Sequence, residues 1–166
     1  EQIAGASISP NLLAVLGIQP VRGRGFSSEE TEGQRLVLIS HRFWQARFGG
    51  SNDAVGATIV VNGLASRIIG ILPADFQIAK LDADVWEPHT LFPDWEARRA
   101  GRGAGPWFVA GRLRRGASFD QAQAEMSAIA ARLNGQLPAG VGNNAISVTP
   151  LSLQFAGPRA RLSLWM

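Results

Sequence analysis

The chain has 166 residues, 16 basic and 13 acidic for a formal net charge of +3, with 46% hydrophobic residues, 19 glycines and neither cysteine nor tyrosine. This apolar content is enough for a core and excludes a disordered chain, and the lack of cysteine excludes disulfide scaffolds and thiolate zinc sites. No apolar run reaches the roughly 18 residues of a membrane-spanning helix.

Residues 2–8 read as a short strand. Ser9 is placed to cap a helix with Pro10 in its first position. Leu12, Leu13, Val15 and Leu16 follow, and Gly17 closes the helix. Pro20, Gly23 and Gly25 predict an irregular connection over residues 18–26, and Ser27 to Glu30 has the Ser-x-x-Glu form of a capping box. Leu36 to Ile39 is an apolar run suited to a buried strand. Ser40 then caps a helix whose Phe43, Trp44, Arg47 and Phe48 share one side, ended by Gly49-Gly50.

Asn62-Gly63 between Thr58–Val61 and Leu64–Leu72 predicts a tight antiparallel hairpin, because both turn positions need positive φ and these residues tolerate it. Pro73 ends its second strand, Ala74-Asp75-Phe76 turns the chain, and Asp84-Val85-Trp86 supplies another strand. Residues 91–106 lose periodicity and become rich in Arg, Gly and Pro, which predicts a mobile loop. Trp107 to Leu113 reads as a strand and Ser118 to Gln121 as a second capping box. Phe119, Ala122, Met126, Ile129, Leu133 and Leu137 repeat at three and four, as in an amphipathic helix, and a strand around Ile146 and Val148 follows. Strand, helix and strand of this length permit a split β-α-β unit. The chain begins at Glu1 without an initiator Met and turns apolar over Leu162 to Met166, the pattern of a piece of a longer protein.

Few residues offer chemistry. His41 and His89 lack the His-x-x-x-His spacing of a helical zinc site, and neither a Gly-x-Ser-x-Gly elbow nor a phosphate loop is present. The acids Asp82, Asp84 and Glu87, and the pair Asp94 and Glu96, are suited to acid–base work or a hard cation, or else to solvated loop ends. Arginine supplies all but one of the basic residues, Lys80 being the exception. Arg98, Arg99, Arg102, Arg112, Arg114 and Arg115 lie between Glu96 and Asp120 with no acid among them. Such a run suits phosphates or anionic headgroups, or a solvated loop. Trp44, Trp86 and Trp107 fit a core, whereas Trp95, inside the arginine-rich stretch, is a candidate contact.

The order of segments carries more. Ser9-Pro10-Asn11, Leu16-Gly17-Ile18-Gln19-Pro20, Gly23-Arg24-Gly25-Phe26 and Ser40-His41-Arg42-Phe43-Trp44 come first. Val61-Asn62-Gly63, Ile69-Gly70-Ile71-Leu72-Pro73, Asp84-Val85-Trp86-Glu87-Pro88 and Gly111-Arg112-Leu113 follow. Over roughly residues 5–155 this series resembles the MacB-like periplasmic core domain of bacterial ABC transporter permeases of the FtsX-like family.

The resemblance implies an α+β fold: a split β-α-β porter-like lobe (residues 1–30 and 107–155) with a smaller, mostly β lobe inserted (31–90). Residues 91–106 would be a mobile loop between them, and 156–166 the approach to a transmembrane helix, with Trp165 at the interface. It also implies a non-catalytic, extracytoplasmic (periplasmic) domain of a bacterial cytoplasmic-membrane protein, without cofactor, metal or nucleic acid. Such a domain couples ATP-driven motion of membrane helices to export or to a periplasmic partner. The implied partners are a second permease subunit, a cytoplasmic ABC ATPase, a periplasmic adaptor, and the membrane through flanking helices. Phe92, Trp95, Arg98, Arg99 and Arg102 are the expected partner contacts. The alternative is a soluble module that binds anionic ligands or nucleic acid through Arg98–Arg115.

Overall fold

The structure is a computed structural model and describes residues 3–27, 35–76, 78, 81–91, 95, 97, 108–136 and 145–151. The chain forms two compact units, Glu1–Ala110 and Gly111–Met166. The class is α+β, with one mixed sheet and three helices among the described elements: α1 (Leu12–Leu16), α2 (His41–Phe48) and α3 (Phe119–Asn134).

The sheet belongs to the first unit. Its strands are β1 (Gly5–Ile8), β2 (Arg22–Gly23), β3 (Leu36–Ile39), β4 (Thr58–Val61), β5 (Leu64–Ile71) and β6 (Val85–Pro88). They run in the order β1-β6-β3-β5-β2, and β4 also pairs with β5. The β1–β6 and β3–β5 pairs are parallel, and the β3–β6, β2–β5 and β4–β5 pairs are antiparallel. The N-terminal strands β1 and β2 therefore share one sheet with the strands of residues 36–88.

β3 lies at the centre because Leu-Val-Leu-Ile has no face that tolerates water. All four residues are buried, each contributing about 2 kcal/mol of hydrophobic burial. Alternation puts Val37 and Ile39 on one side, in a cluster with Phe43 and Trp44 of α2, Ala54, Ile68, Ile71 and Val85. Leu38 pairs with Trp86 of β6 on the other side, where Phe76 meets the Trp86 ring edge-on at 5.2 Å.

α2 begins and ends as its sequence requires. Ser40 is extended and its Oγ accepts from the Phe43 N–H at 3.0 Å, while Gly49 takes the left-handed conformation at φ 58° and closes the last turn. Trp44 is buried with Nε1 donating to the Ser51 carbonyl at 2.7 Å. Asn62 at φ 52° and Gly63 at φ 78° make the β4–β5 turn, both central residues left-handed, so its twist matches the strands it joins.

α1 differs from expectation at its start. Asn11, not Ser9, is the residue before the first turn, and its side chain makes no capping bond. The Ser9 carbonyl instead accepts from Leu12 N–H at 3.0 Å, so Pro10 and Asn11 form a turn rather than a helical turn. The irregular stretch after α1 hides β2, a two-residue strand. It exists because Gly23 (φ 70°) and Gly70 let two backbones approach: a Cβ on Gly70 would collide with the Arg24 carbonyl, and one on Gly23 with the Ile69 carbonyl. The capping box at Ser27–Glu30 lies outside the described residues.

In the second unit, Ser118 Oγ accepts from Gln121 N–H at 3.1 Å while Gln121 Oε1 accepts from Ser118 N–H at 2.9 Å, the reciprocal capping box that starts α3. Of the strand expected over 107–113, Trp107 lies outside the described residues and the rest is not formed. Residues 108–113 are irregular, with Val109 85% exposed, because no other strand hydrogen-bonds to them among the described residues. The strand around Ile146 is replaced by a side chain. Gln123 of α3 donates through Nε2 to the Ile146 carbonyl at 2.8 Å and accepts through Oε1 from Val148 N–H at 2.7 Å. One amide thus satisfies the pair of groups that a neighbouring strand would take.

Gly70→Ala should cost about 2–3 kcal/mol through the collision with Arg24, read as a lower urea midpoint. Gln123→Leu should cost about 1–2 kcal/mol by orphaning the Ile146 carbonyl and Val148 N–H, and amide exchange at Val148 should quicken while that of the β3 amides stays unchanged.

Candidate functional site

The stretch expected to meet a partner begins where β6 ends. Pro88 closes the strand, and His89–Leu91 forms one 3-10 turn. Trp95 is helical and half-buried, and its indole stacks on the His89 imidazole with ring centroids 3.8 Å apart and planes inclined by 17°. Trp95 is thereby fixed to the end of a strand that is hydrogen-bonded on both edges. Phe92, Arg98, Arg99 and Arg102 lie outside the described residues, as does most of the loop expected at 91–106.

His89 contributes more than a flat surface. Its Nδ1 is buried without a hydrogen-bond partner, and burial pushes the imidazole below the ordinary histidine value of about 6.5. The neighbouring Thr90 has a buried Oγ1, also unpartnered. It lines a cleft of about 530 Å³ with Leu13, Ile18, Pro20 and Phe26, whose polar side chains are Asn11, Gln19 and Thr90. This cleft can receive an apolar group. Among the described residues it holds no nucleophile paired with a base.

Of the carboxylates considered for acid–base or cation chemistry, Asp94 and Glu96 lie outside the described residues, and the other three are committed elsewhere. Arg42 donates to Asp82 at 3.0 Å and to Asp84 at 2.7 Å, and these bonds hold its guanidinium above its already high range. Asp84 also accepts from Ser40 Oγ at 3.2 Å, and its carbonyl accepts from Ser40 N–H at 2.9 Å. Glu87 pairs with Arg35 at 3.0 Å. No group of three potential metal ligands occurs among the described residues. Each acid therefore fastens one segment to another: Asp82 and Asp84 hold the start of α2, and Glu87 holds the start of β3. Of the remaining arginines in the run, Arg112, Arg114 and Arg115 are exposed.

The His89–Trp95 stack was not legible in the sequence. The two rings are six positions apart, a spacing that neither a helix nor a strand brings together, and Pro93 stands between them. The available signal was compositional: an imidazole and an indole flanking one turn.

A family model described as MacB-like periplasmic core domain matches residues 1–129. Among solved structures, the periplasmic region of MacB from Actinobacillus actinomycetemcomitans is similar at 15% identity and TM-score 0.57, covering 79% of this chain and 56% of that one. A domain described as from a permease protein of Porphyromonas gingivalis is similar at 19% identity and TM-score 0.51, covering 85% of this chain and 57% of that one. The extracellular domain of the noncanonic ABC-type transporter YknZ from Gram-positive bacteria aligns at 21% identity and TM-score 0.43, covering 54% and 47%. The chain thus spans a little over half the length of the first two, and the likeness to them is one of fold. No curated protein matches the chain.

A histidine whose folded pKa lies below its unfolded value takes up its proton more readily when unfolded. Stability from His89 is therefore complete well above pH 6.5 and declines as pH falls through that value toward the lower folded one. Between pH 8 and 5.5 the thermal midpoint of the chain should fall more than that of His89→Gln. Parallel slopes would show that His89 is not the titrating group.

Proposed function

The chain belongs to the MacB-like periplasmic core domain family, whose model matches residues 1–129 of the 166, and from that membership we propose that it is the non-catalytic part of an ABC transporter permease subunit that couples ATP-driven movement of membrane helices to export or to a periplasmic partner. A domain of this family is extracytoplasmic. No described helix is long and apolar enough to cross a membrane, so in this reading helices outside the described residues carry the attachment. The proposed partners are a second permease subunit, a cytoplasmic ABC ATPase and a periplasmic adaptor.

The observation that carries the non-catalytic reading is the use of the acids. Asp82, Asp84 and Glu87 each meet an arginine, which makes them fasteners, and among the described residues no acid–base pair stands at the cleft beside Thr90. Fastened segments suit a part that moves as a body. We propose the same two-lobe division, porter-like and inserted, with β1 and β2 lending their strands to the inserted lobe's sheet. Residues 91–106 meet the adaptor through Phe92, Trp95, Arg98, Arg99 and Arg102, with Trp95 presented from the His89 stack.

The chain has no cysteine, so a cysteine placed at the exposed Thr58 of the full-length permease is the only thiol within this domain. In membrane vesicles, crosslinking between paired subunits through that thiol should change at least twofold when the ATPase turns over, and not with a hydrolysis-deficient ATPase. Constant yield would remove the coupling role. Trp95→Ala combined with Arg98→Ser, Arg99→Ser and Arg102→Ser should weaken adaptor capture at least tenfold without lowering the thermal midpoint by more than a few degrees. Unchanged capture would remove the contact assignment.

A further inference from the structure

Among the described residues the first strand of the sheet has one paired edge: β1 hydrogen-bonds to β6 alone. The Ala4 carbonyl accepts from Asp84 N–H at 2.8 Å and Val85 N–H at 3.2 Å. The N–H and C=O of one residue leave a strand on the same side and alternate along it. Ala4, Ala6 and Ile8 therefore address β6, and Gly5 and Ser7, both exposed, turn their backbone groups to the open edge. An open edge is a template for another strand.

That edge borders a second cleft, of about 610 Å³, whose walls include Gly5, Ser7 and the tip of the β4–β5 hairpin at Val60 and Val61. Val60 is 66% exposed, an apolar surface in want of cover. The side chains of β1 here are small, which leaves its backbone within reach of an incoming chain. Among the described residues Glu87 is the one charged residue lining the cleft. Arg35 engages its Oε1, and among the described residues no donor meets its Oε2. The cleft thus offers backbone donors and acceptors, an apolar wall and a carboxylate oxygen that lacks a donor.

We propose that the open edge of β1 captures an extended, basic segment of a partner protein, which pairs with Gly5 and Ser7 as an added strand, lays apolar side chains against Val60 and presents a cationic one to Glu87. Main-chain pairing supplies the affinity in such strand addition, and the alternate side chains supply the selectivity. Among the described residues the one charged side chain lining the cleft is Glu87, whose Oε1 is held by Arg35 and whose Oε2 is left to accept, so a basic strand gains a charge-assisted hydrogen bond there that an acidic one cannot make. The site stands whether or not the domain couples to ATP turnover.

The test follows amide hydrogen exchange at Gly5 and Ser7 in the whole chain, alone and with end-blocked eight-residue peptides of valine alternating with lysine or with glutamate. The lysine peptide should slow both amides at least tenfold and bind at least tenfold more tightly than the glutamate peptide. Ser7→Pro removes one outward N–H from an edge position where proline is tolerated. It should weaken binding at least tenfold, whereas Ser7→Ala should not. A lysine peptide N-methylated at every residue, so that neither edge has donors, should fail to bind the unaltered chain, which keeps the test decisive if Ser7→Pro does not fold. Unslowed exchange at saturating peptide, equal affinity for the two peptides, or undiminished binding of the N-methylated peptide would each overturn the proposal. So would slowing that grows with protein concentration without peptide, since the occupant would then be a second copy of the chain.

Discussion

The first unit is organised by the need to pair both edges of β3. A strand whose four residues are all buried has no water for its backbone N–H and C=O groups, and an unpaired group there costs as much as a lost hydrogen bond. Two neighbours are therefore obligatory, and they are of opposite kinds: β5 parallel on one edge and β6 antiparallel on the other. The parallel neighbour requires a crossover, which is what α2, the turn at Asn52–Ala54 and β4 provide. The antiparallel neighbour is held by Asp84, which receives Ser40 through backbone and hydroxyl alike and Arg42 through its guanidinium. A single acidic residue thus joins the end of the central strand, the start of the first long helix and the entry to β6.

The same economy explains why so many charged residues yield so little chemistry. Exposed ion pairs add modestly to stability, but they fix register between segments that meet far apart in sequence. Arg42 reaches Asp82 and Asp84 across some forty positions and Arg35 reaches Glu87 across 52. Among the described residues, the β1 edge and the His89–Trp95 stack remain as surfaces of backbone and rings.

Where the sequence carried a local rule, the structure could be read from it. Asn62-Gly63 demanded a tight hairpin because positive φ is cheap only there, and Ser40 and Ser118 marked their helices because each oxygen meets an otherwise orphaned N–H. Ser9 offered the same signal and failed, since Pro10 and Asn11 found a turn that uses the Ser9 carbonyl instead. Long-range pairing was not legible: nothing in Arg22-Gly23 announces a strand, because the determinant is the missing side chain of Gly70 almost fifty residues away. The alternation at Trp107–Leu113 suggested a strand, but a strand is defined by its neighbour, and residues 108–113 have none among those described. Gln123 shows the converse, a helical side chain standing in for that neighbour. The fold class was therefore legible, whereas of the expected site only Trp95 and its histidine partner have a described geometry.

The parallel pairing of β1 with β6 has a mechanical consequence. The chain enters the pair at Gly5 and leaves it at Pro88, and in register these are opposite ends of two strands pointing the same way. Tension applied through the residues before Gly5 and after Pro88 would slide the strands lengthwise past one another, loading all the rungs of their ladder together instead of opening them one by one. A ladder loaded in shear resists until it yields as a whole. The β1–β6 pair is thus stiff to a pull along the strands and easily peeled from the side.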